Sequence, residues 1–442
     1  MANDLIGRRA VVVGAGMGGL AAAGALADFF EHVIVLERDR LPAGVAARPG
    51  TPQARHIHAL LGGGQQALQA LFPQFESDLA AAGALPLRVS ADFRVELPGF
   101  DPFPQRDLGW SILSMSRPLI ERVVRRQIEK RANVTLRDHC RAREFILSEE
   151  RSVVGVRCES AEGATEVVEA DLVVDASGRG GLTLGLLEAA GLPPPEEEVI
   201  GVDFGYARAA FTIPDDAPTD WKAVMTFSEG SRGALLLPIE GGCWLVNLAG
   251  RYEEKPPGDP EGFLRFAAEL RTPTVYNAIK GAERLSDVVR YGFPESTWRH
   301  YERLASFPRG LIPFGDAMCR FNPVWGQGMT VAAQEAVLLS RLLARGDQPG
   351  ELAAAFFAEA AKLIETPWQQ AAIPDFALPQ TTGERPPDLE RRLKFGGALT
   401  RLAAEDPEVQ RLMTEVRHLL KPASALRDPA LIKRVEALMA EA

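Results

Sequence analysis

Ala10-Val11-Val12-Val13-Gly14-Ala15-Gly16-Met17-Gly18-Gly19-Leu20-Ala21-Ala22-Ala23 is the stretch whose reading decides the fold. Its opening run is apolar on both faces, the mark of a parallel strand buried inside a sheet. The strand runs straight into glycines. Gly14 permits a tight turn, Gly16 lets backbone approach a pyrophosphate, and Gly19 lets the next helix pack close to the strand. Gly18 lies in the same turn, and the helix start presents N–H groups and partial positive charge to phosphate. A second apolar strand, Val33-Ile34-Val35-Leu36, ends in Glu37. A carboxylate about 20 residues beyond such glycines bonds a ribose hydroxyl pair. Strand, glycines, helix, second strand and acid stand in register, which predicts a Rossmann-type dinucleotide site. Arg38 follows that acid and joins the candidate contacts.

The rest of the 442-residue chain has ordinary globular composition, with 46% hydrophobic and 24% charged residues. That length suits two or three domains. A formal net charge of -10 argues against a nucleic-acid partner, which would need a basic surface. The four cysteines, Cys140, Cys158, Cys243 and Cys319, form no metal-ligand spacing and fit a reduced, cytoplasmic protein. No signal peptide is expected, because the first ordered element starts within ten residues of Met1. No transmembrane segment is expected either, since no apolar run reaches the ~20 residues a span requires.

Further along, a helix is expected over Arg117–Lys130 and a strand over Leu172–Asp175. Four runs have strand character: Val202–Ile213, Ala223–Phe227, Gly233–Ile239 and Cys243–Leu248. Turn residues separate them, which predicts an antiparallel meander. Leu192-Pro193-Pro194-Pro195-Glu196-Glu197-Glu198 reads as a stiff acidic linker before it. Residues 346–442, rich in Ala, Leu, Arg and Glu, read as helices. Their mixed-sign charges favour packing against the body over lying on a lipid surface, with a lid or a dimer surface as other roles. The oligomeric state is left open.

Two late segments identify the dinucleotide. They are Gly310-Leu311-Ile312-Pro313-Phe314-Gly315-Asp316-Ala317 and Phe321-Asn322-Pro323-Val324-Trp325-Gly326-Gln327-Gly328-Met329. Together with the first motif they resemble the group A flavoprotein monooxygenases, the para-hydroxybenzoate hydroxylase and squalene-epoxidase-like superfamily. The resemblance implies FAD, with Asp316 on the ribityl chain and Pro323, Gly326, Gly328 and Met329 over the flavin ring, where a helix begins. Ser114-Met115-Ser116-Arg117-Pro118 resembles the helix start whose arginine contacts FAD phosphates, which gives that role to Arg117. Asp175-Ala176-Ser177-Gly178 stands where the family has an Asp-Gly motif linked to FAD and NADPH. The altered form is similar to geranylgeranyl reductases and flavin halogenases. It keeps Asp175 as a cofactor residue and leaves the electron donor open: NADPH, NADH or a separate flavin reductase. The segment Gln53–Gly64, with Arg55 as a further cofactor candidate, resembles a bacterial polyene-epoxidase subgroup.

The fold class this implies is α/β, a Rossmann-type FAD-binding domain with an inserted antiparallel-sheet substrate domain and a C-terminal helical region. Residues 1–85, 114–190 and 291–345 would form the FAD-binding domain, 86–113 and 191–290 the substrate domain, and 346–442 the helical region. The implied activity is a monooxygenase, an epoxidase or hydroxylase. It would insert one oxygen atom of O2 into an apolar alkene or aromatic substrate through a flavin C4a-hydroperoxide. The cofactor carries that chemistry, so no catalytic triad is required. His56 and His58 are candidates to bond a substrate oxygen or the flavin edge, or to cap local backbone or FAD phosphate; Arg48 is a third. Apolar and small residues in the meander (Phe204, Tyr206, Ala234, Leu236, Trp244) suggest a largely apolar substrate or simply core.

Three other functions fit a flavin fold. A halogenase relies on a lysine between flavin and substrate and a Trp-x-Trp-x-Ile-Pro signature. This chain has no lysine before Lys130, and it reads Cys243-Trp244-Leu245-Val246-Asn247-Leu248 around Trp244. A geranylgeranyl-reductase-like enzyme would saturate a double bond, and a flavin-binding scaffold or sensor would catalyse nothing.

Overall fold

The computed structural model describes residues 5–228 and 230–440. Its centre is a five-stranded parallel sheet, in the order Leu311–Pro313, Leu172–Asp175, Gly7–Val13, Phe30–Leu36, Val134–Arg137. Parallel strands need both faces covered, and the strand of the first motif shows it. Ala10 and Val12 point into a large core with the helices Met17–Leu26 and Arg117–Glu129. Val11 and Val13 point the other way, against the three-stranded antiparallel sheet Arg141–Leu147, Val153–Glu159, Thr165–Glu169.

The second large sheet has seven strands, in the order Cys319–Arg320, Val289–His300, Glu196–Thr212, Cys243–Arg251, Gly233–Ile239, Ala223–Phe227, Phe93–Glu96. All its pairings are antiparallel except that between Ala223–Phe227 and Phe93–Glu96. Strand residues alternate between faces, so each strand serves two environments. Ala207, Ala209, Phe211, Val246, Leu248 and Leu236 bury one face against the helices Pro260–Ala268 and Thr274–Ile279. Phe204, Tyr206, Asn247, Ala249, Arg251, Tyr291 and Phe293 line a chamber on the other. Of the five meander residues read as pocket wall or core, Leu236 and Trp244 thus belong to the core on the far face.

Two local readings give way to tertiary partners. Glu196-Glu197-Glu198, expected to be linker, opens the long strand and pairs with Trp298–His300. Its carboxylates find donors there: Arg303 for Glu196 (2.8 Å), Arg299 for Glu197 (2.8 Å) and the Trp368 indole for Glu198 (2.7 Å). A charge run looks solvated until distant residues supply its counter-ions. The strand Val289–His300 was not anticipated either, although Val289, Tyr291 and Phe293 alternate as a strand should.

The C-terminal helices pack on the body. Leu352–Asp375 buries Phe356, Phe357, Ala360, Ile364 and Trp368 in the main core. Leu389–Glu405, Pro407–Arg417 and Pro429–Ala440 share a smaller core with Phe103 and the residues around it. Arg106 binds them, donating to the carbonyl of Ala403 at 3.0 Å and the side chain of Gln410 at 2.7 Å. Among the described residues no helix is long and apolar enough to cross a membrane.

Candidate active site

The parallel sheet brings its strand ends together at one edge, where the glycine turn lies beside Ala176 and Phe314. Gly14 has φ +101°, a conformation glycine adopts freely, and a Cβ there would sit 2.6 Å from the carbonyl oxygen of Ala176. A Cβ on Gly19 would lie 1.8 Å from the carbonyl oxygen of Gly14, so its absence is what lets helix and strand meet. Gly16 differs from both. A Cβ there meets nothing within 4 Å, and the space it would enter is a cavity of about 410 Å³.

That cavity joins the two motifs. Gly14, Gly16, Gly18, Glu37, Arg38, Arg48 and Arg117 line it, and so do Asp316, Gly328 and Met329. Asp316 is surrounded by protein yet keeps open surface, because that surface is cavity wall. Burial raises its pKa, against the opposing charges of Arg320 and Arg117. Gly19, Arg55 and Asp175 are not in the wall. The carboxylate of Asp175 instead accepts from the N–H of Ser177 (3.1 Å) and the hydroxyl of Thr183 (2.6 Å), shaping the Gly178–Gly180 turn. Arg55 is exposed, and its carbonyl accepts from Arg208.

The residues present fit a dinucleotide cofactor. Helices Met17–Leu26 and Gly328–Ala344 both start in the wall with no side-chain cap, leaving first-turn N–H groups for an anion. Arg48 and Arg117 each keep a buried N–H with no partner. Arg48 is otherwise held by Glu37 (2.8 Å), Asp39 (3.3 Å) and Glu121 (2.8 Å). Burial works against its charge, but those three carboxylates outweigh it and keep the pKa above its ordinary value. Arg48 therefore stands at the cofactor end, beside the carboxylate expected to meet ribose. Glu37 also accepts from the Ala15 N–H at 2.8 Å, so one side chain ties the glycine turn to the second strand.

A second chamber, of about 290 Å³, opens off the same wall. Asp316, Gly328, Met329 and Arg117 line both spaces. Pro323 and Gly326 face the chamber, which is otherwise walled by the sheet residues Phe204, Tyr206, Tyr291 and Phe293 and by Phe321 and Met225. Its polar lining includes Asn247, Gln327 and the arginines Arg117, Arg232, Arg251 and Arg320. His56 and His58 lie in its wall. Both nitrogens of His56 are buried, with the Asn247 side chain beside the ring, which sits 5.7 Å from Tyr291 and 6.2 Å from Tyr206. Burial, with Arg208 nearby, takes its pKa down to about 4. For His58, burial and the charge of Arg117 bring it to about 3. His58 is thus neutral, and its Nδ1 lies 3.0 Å from the His56 carbonyl, which can only accept. The proton is therefore on Nδ1 and the lone pair on Nε2.

Several residues of the site escaped the sequence reading. Glu335 is fully buried on the helix behind Asp316 and accepts from the Gly315 N–H at 2.8 Å. Burial pushes its pKa up to about 8, with the neighbouring Asp316 charge adding to the shift. A signal was available, since Glu335 falls on the same helical face as the apolar Val331, Leu338, Leu339 and Leu342. Asp375 gave no such signal in a stretch legible only as helix. Its carboxylate accepts from Arg251 at 2.5 Å and from Asn322 at 3.0 and 3.2 Å. Arg251 in turn lies 4.2 Å above the Phe204 ring, which stacks on Tyr206. Among the described residues no group of side chains could hold a metal.

Comparison with known proteins supports the fold and an FAD cofactor. Residues 10–194 match the family described as FAD dependent oxidoreductase. Protein Rv3254 of Mycobacterium tuberculosis is 33% identical over 399 residues, 85% of this chain and 81% of that one. Among solved structures, flavin-dependent brominase Bmp2 superposes with a TM-score of 0.71 at 14% identity, covering 98% of this chain and 99% of its own. PqsL, a probable FAD-dependent monooxygenase from Pseudomonas aeruginosa, gives 0.63 at 17% identity over 85% and 97%. The myxobacterial chondrochloren halogenase CndH gives 0.64 at 17% identity over 93% and 96%. At such identities these structures speak for the fold alone.

Proposed function

The chain belongs to the FAD-dependent oxidoreductase family, in one family with the mycobacterial protein, and on that premise we propose that it is a monooxygenase acting on an apolar alkene or aromatic substrate. The observation that carries the reading is the shared wall: Asp316, Gly328 and Met329 belong both to the cofactor cavity and to an aromatic-lined chamber. FAD held there supplies the redox chemistry that activates dioxygen for transfer of one oxygen atom.

Every other task falls to the chain. The open space at Gly16 and the bare helix start at Met17 take the pyrophosphate, with Arg117 beside them. Glu37 holds a ribose, and Asp316 the ribityl hydroxyls. The helix starting at Gly328 turns its positive end to the junction, where it stabilises negative charge on a reduced cofactor. Phe204, Tyr206, Tyr291 and Phe293 orient an apolar substrate and keep water out. The neutral His58 offers Nε2 as an acceptor for a substrate hydroxyl. With a pKa of about 3 it orients that hydroxyl and is a weak base towards it.

A halogenase of the resembled kind would place a lysine between the two spaces. Among the described residues no lysine lines either. The electron donor is NADPH, NADH or a partner flavin reductase. Stopped-flow reduction with each, with and without added reductase, identifies it.

The reaction is tested by giving the reduced, FAD-loaded protein a panel of apolar alkenes and arenes under ¹⁸O-labelled dioxygen. A product carrying one labelled oxygen is expected. A halide-dependent product without label would make it a halogenase, and anaerobic saturation of the alkene a double-bond reductase.

A further inference from the structure

The turn Pro323–Gln327 faces the chamber, and Gln327 sets the start of the helix at the junction. Its two ends are held by the same distant element. At one end Asn322 donates to both carboxylate oxygens of Asp375. At the other, the Gln327 amide donates to Gln370 at 3.2 Å. Asp375 and Gln370 both lie on the helix Leu352–Asp375, whose Pro374 reaches the chamber wall. Asp375 also holds the opposite wall, through Arg251 at 2.5 Å. Asn322 closes the circle, accepting from the Val324 N–H at 3.2 Å and the Tyr206 hydroxyl at 3.3 Å. Asp375 and Asn322 are fully buried, and Arg251 and Tyr206 nearly so. Thr381 fixes the helix end, its hydroxyl donating to the Asp375 carbonyl at 2.6 Å.

We propose that Asp375 is a positioning residue that locks the Asn322–Gln327 turn to the Tyr206–Arg251 wall and so sets the geometry where cofactor and substrate spaces meet. The inference rests on the proposed function, in that the junction is taken as the place of reaction. The physical ground is the lack of slack. A buried carboxylate between a guanidinium and an amide has one low-energy arrangement, because any shift strands a charge away from water. Sheet, turn and helix meet at this one group, so none can slide without the others.

The test uses the full chain loaded with FAD. Asn322→Ala frees the turn but leaves the Arg251–Asp375 pair in place, so the buried charges stay paired. Its FAD affinity should stay within about threefold of wild type, because the pyrophosphate cradle and Asp316 share no partner with the cluster. The bound flavin should nevertheless change, with shifted visible absorption bands and several-fold stronger quenching of its fluorescence by iodide. Asp375→Asn should give the same spectral change and a lower Tm. The Arg251→Met/Asp375→Leu pair should recover much of the Tm, since it removes both charges together, while its spectrum stays altered. A flavin spectrum and iodide quenching in Asn322→Ala that match wild type overturn the inference, whatever the Tm does. Gly16→Val run alongside separates the two claims. If that protein keeps its full FAD content, the cofactor reading itself is wrong; if it loses FAD while Asn322→Ala shows no change, only this inference falls.

Discussion

Gly16 and Asp316 line one cavity, although they lie 300 positions apart in the sequence. The strands Gly7–Val13, Leu172–Asp175 and Leu311–Pro313 are neighbours in the parallel sheet, so the loops that follow them meet at the same edge. A ligand in that cavity touches both halves of the chain at once.

Gly16→Val should yield a folded protein without FAD. The added Cβ meets no protein atom within 4 Å and enters cavity space. Far-UV circular dichroism should match wild type while the flavin absorbance of the purified protein disappears. Gly19→Ala is the contrast, because its Cβ would collide with the Gly14 carbonyl and should cost the fold as well.

Asp316→Ala should weaken FAD binding by roughly 10- to 150-fold, equivalent to ~1.5–3 kcal/mol for hydrogen bonds to a charged group. Fluorescence titration of apo-protein with free FAD measures it. Burial disfavours this carboxylate in the absence of a ligand, so the apo-protein should not lose stability. Unchanged affinity would mean that Asp316 holds no part of the cofactor.

Three buried histidines should destabilise the protein as pH falls from about 6.5, against the opposite contribution of Glu335. His56, His58 and His418 have pKa values lowered from 6.5 to about 4, 3 and 3. In that window the unfolded chain binds protons that the folded one refuses, so stability falls with pH and is fully present only above 6.5. His418→Gln keeps an acceptor for the Gly62 N–H, which now bonds Nδ1 at 3.3 Å. Its Tm should fall less between pH 7 and pH 5 than that of wild type; parallel profiles would show that His418 titrates normally.

Glu335 should act on the alkaline side. Its pKa is raised from 4.5 to about 8, so the folded state keeps a proton that the unfolded chain releases. Its destabilising effect therefore grows as pH rises from about 4.5 to 8. Glu335→Gln retains an acceptor for the Gly315 N–H and should flatten the Tm profile between pH 6 and pH 8. A wild-type profile in the variant would show that Glu335 is ionised as an ordinary acid.

Gly64→Ala should cost about 1–3 kcal/mol, the usual range for overpacking. Its Cβ would lie 2.6 Å from the Thr330 hydroxyl oxygen and 2.9 Å from the Thr330 Cα, wedging apart the helices Gly62–Leu71 and Gly328–Ala344. Urea denaturation of the variant checks it, and an unchanged midpoint would mean that the helices can yield.

The parallel-sheet half was legible because its signals are local. Ala10–Val13 must be covered on both faces, the glycine turn has one steric solution, and Arg117 begins a helix whose cap Ser116 is its neighbour. Helix Gly328–Ala344 and the strands Ala223–Phe227 and Gly233–Ile239 were equally legible. Glu335 sits within reach of the same periodicity, on the buried face of that helix.

What sequence alone determined is therefore the parallel-sheet fold and its glycine turn, since backbone sterics and hydrophobic period act over a few residues. The second motif, around Asp316, was legible only through its resemblance to a family. Tertiary structure decided the rest. It turned Glu196–Glu198 from linker into strand by supplying Arg299, Arg303 and Trp368. It drew Arg48 to three carboxylates at the cofactor end, and it brought Asp375 to Asn322 and Arg251. These choices depend on charge and hydrogen-bond partners that only folding brings within a few ångströms, and no local pattern records them.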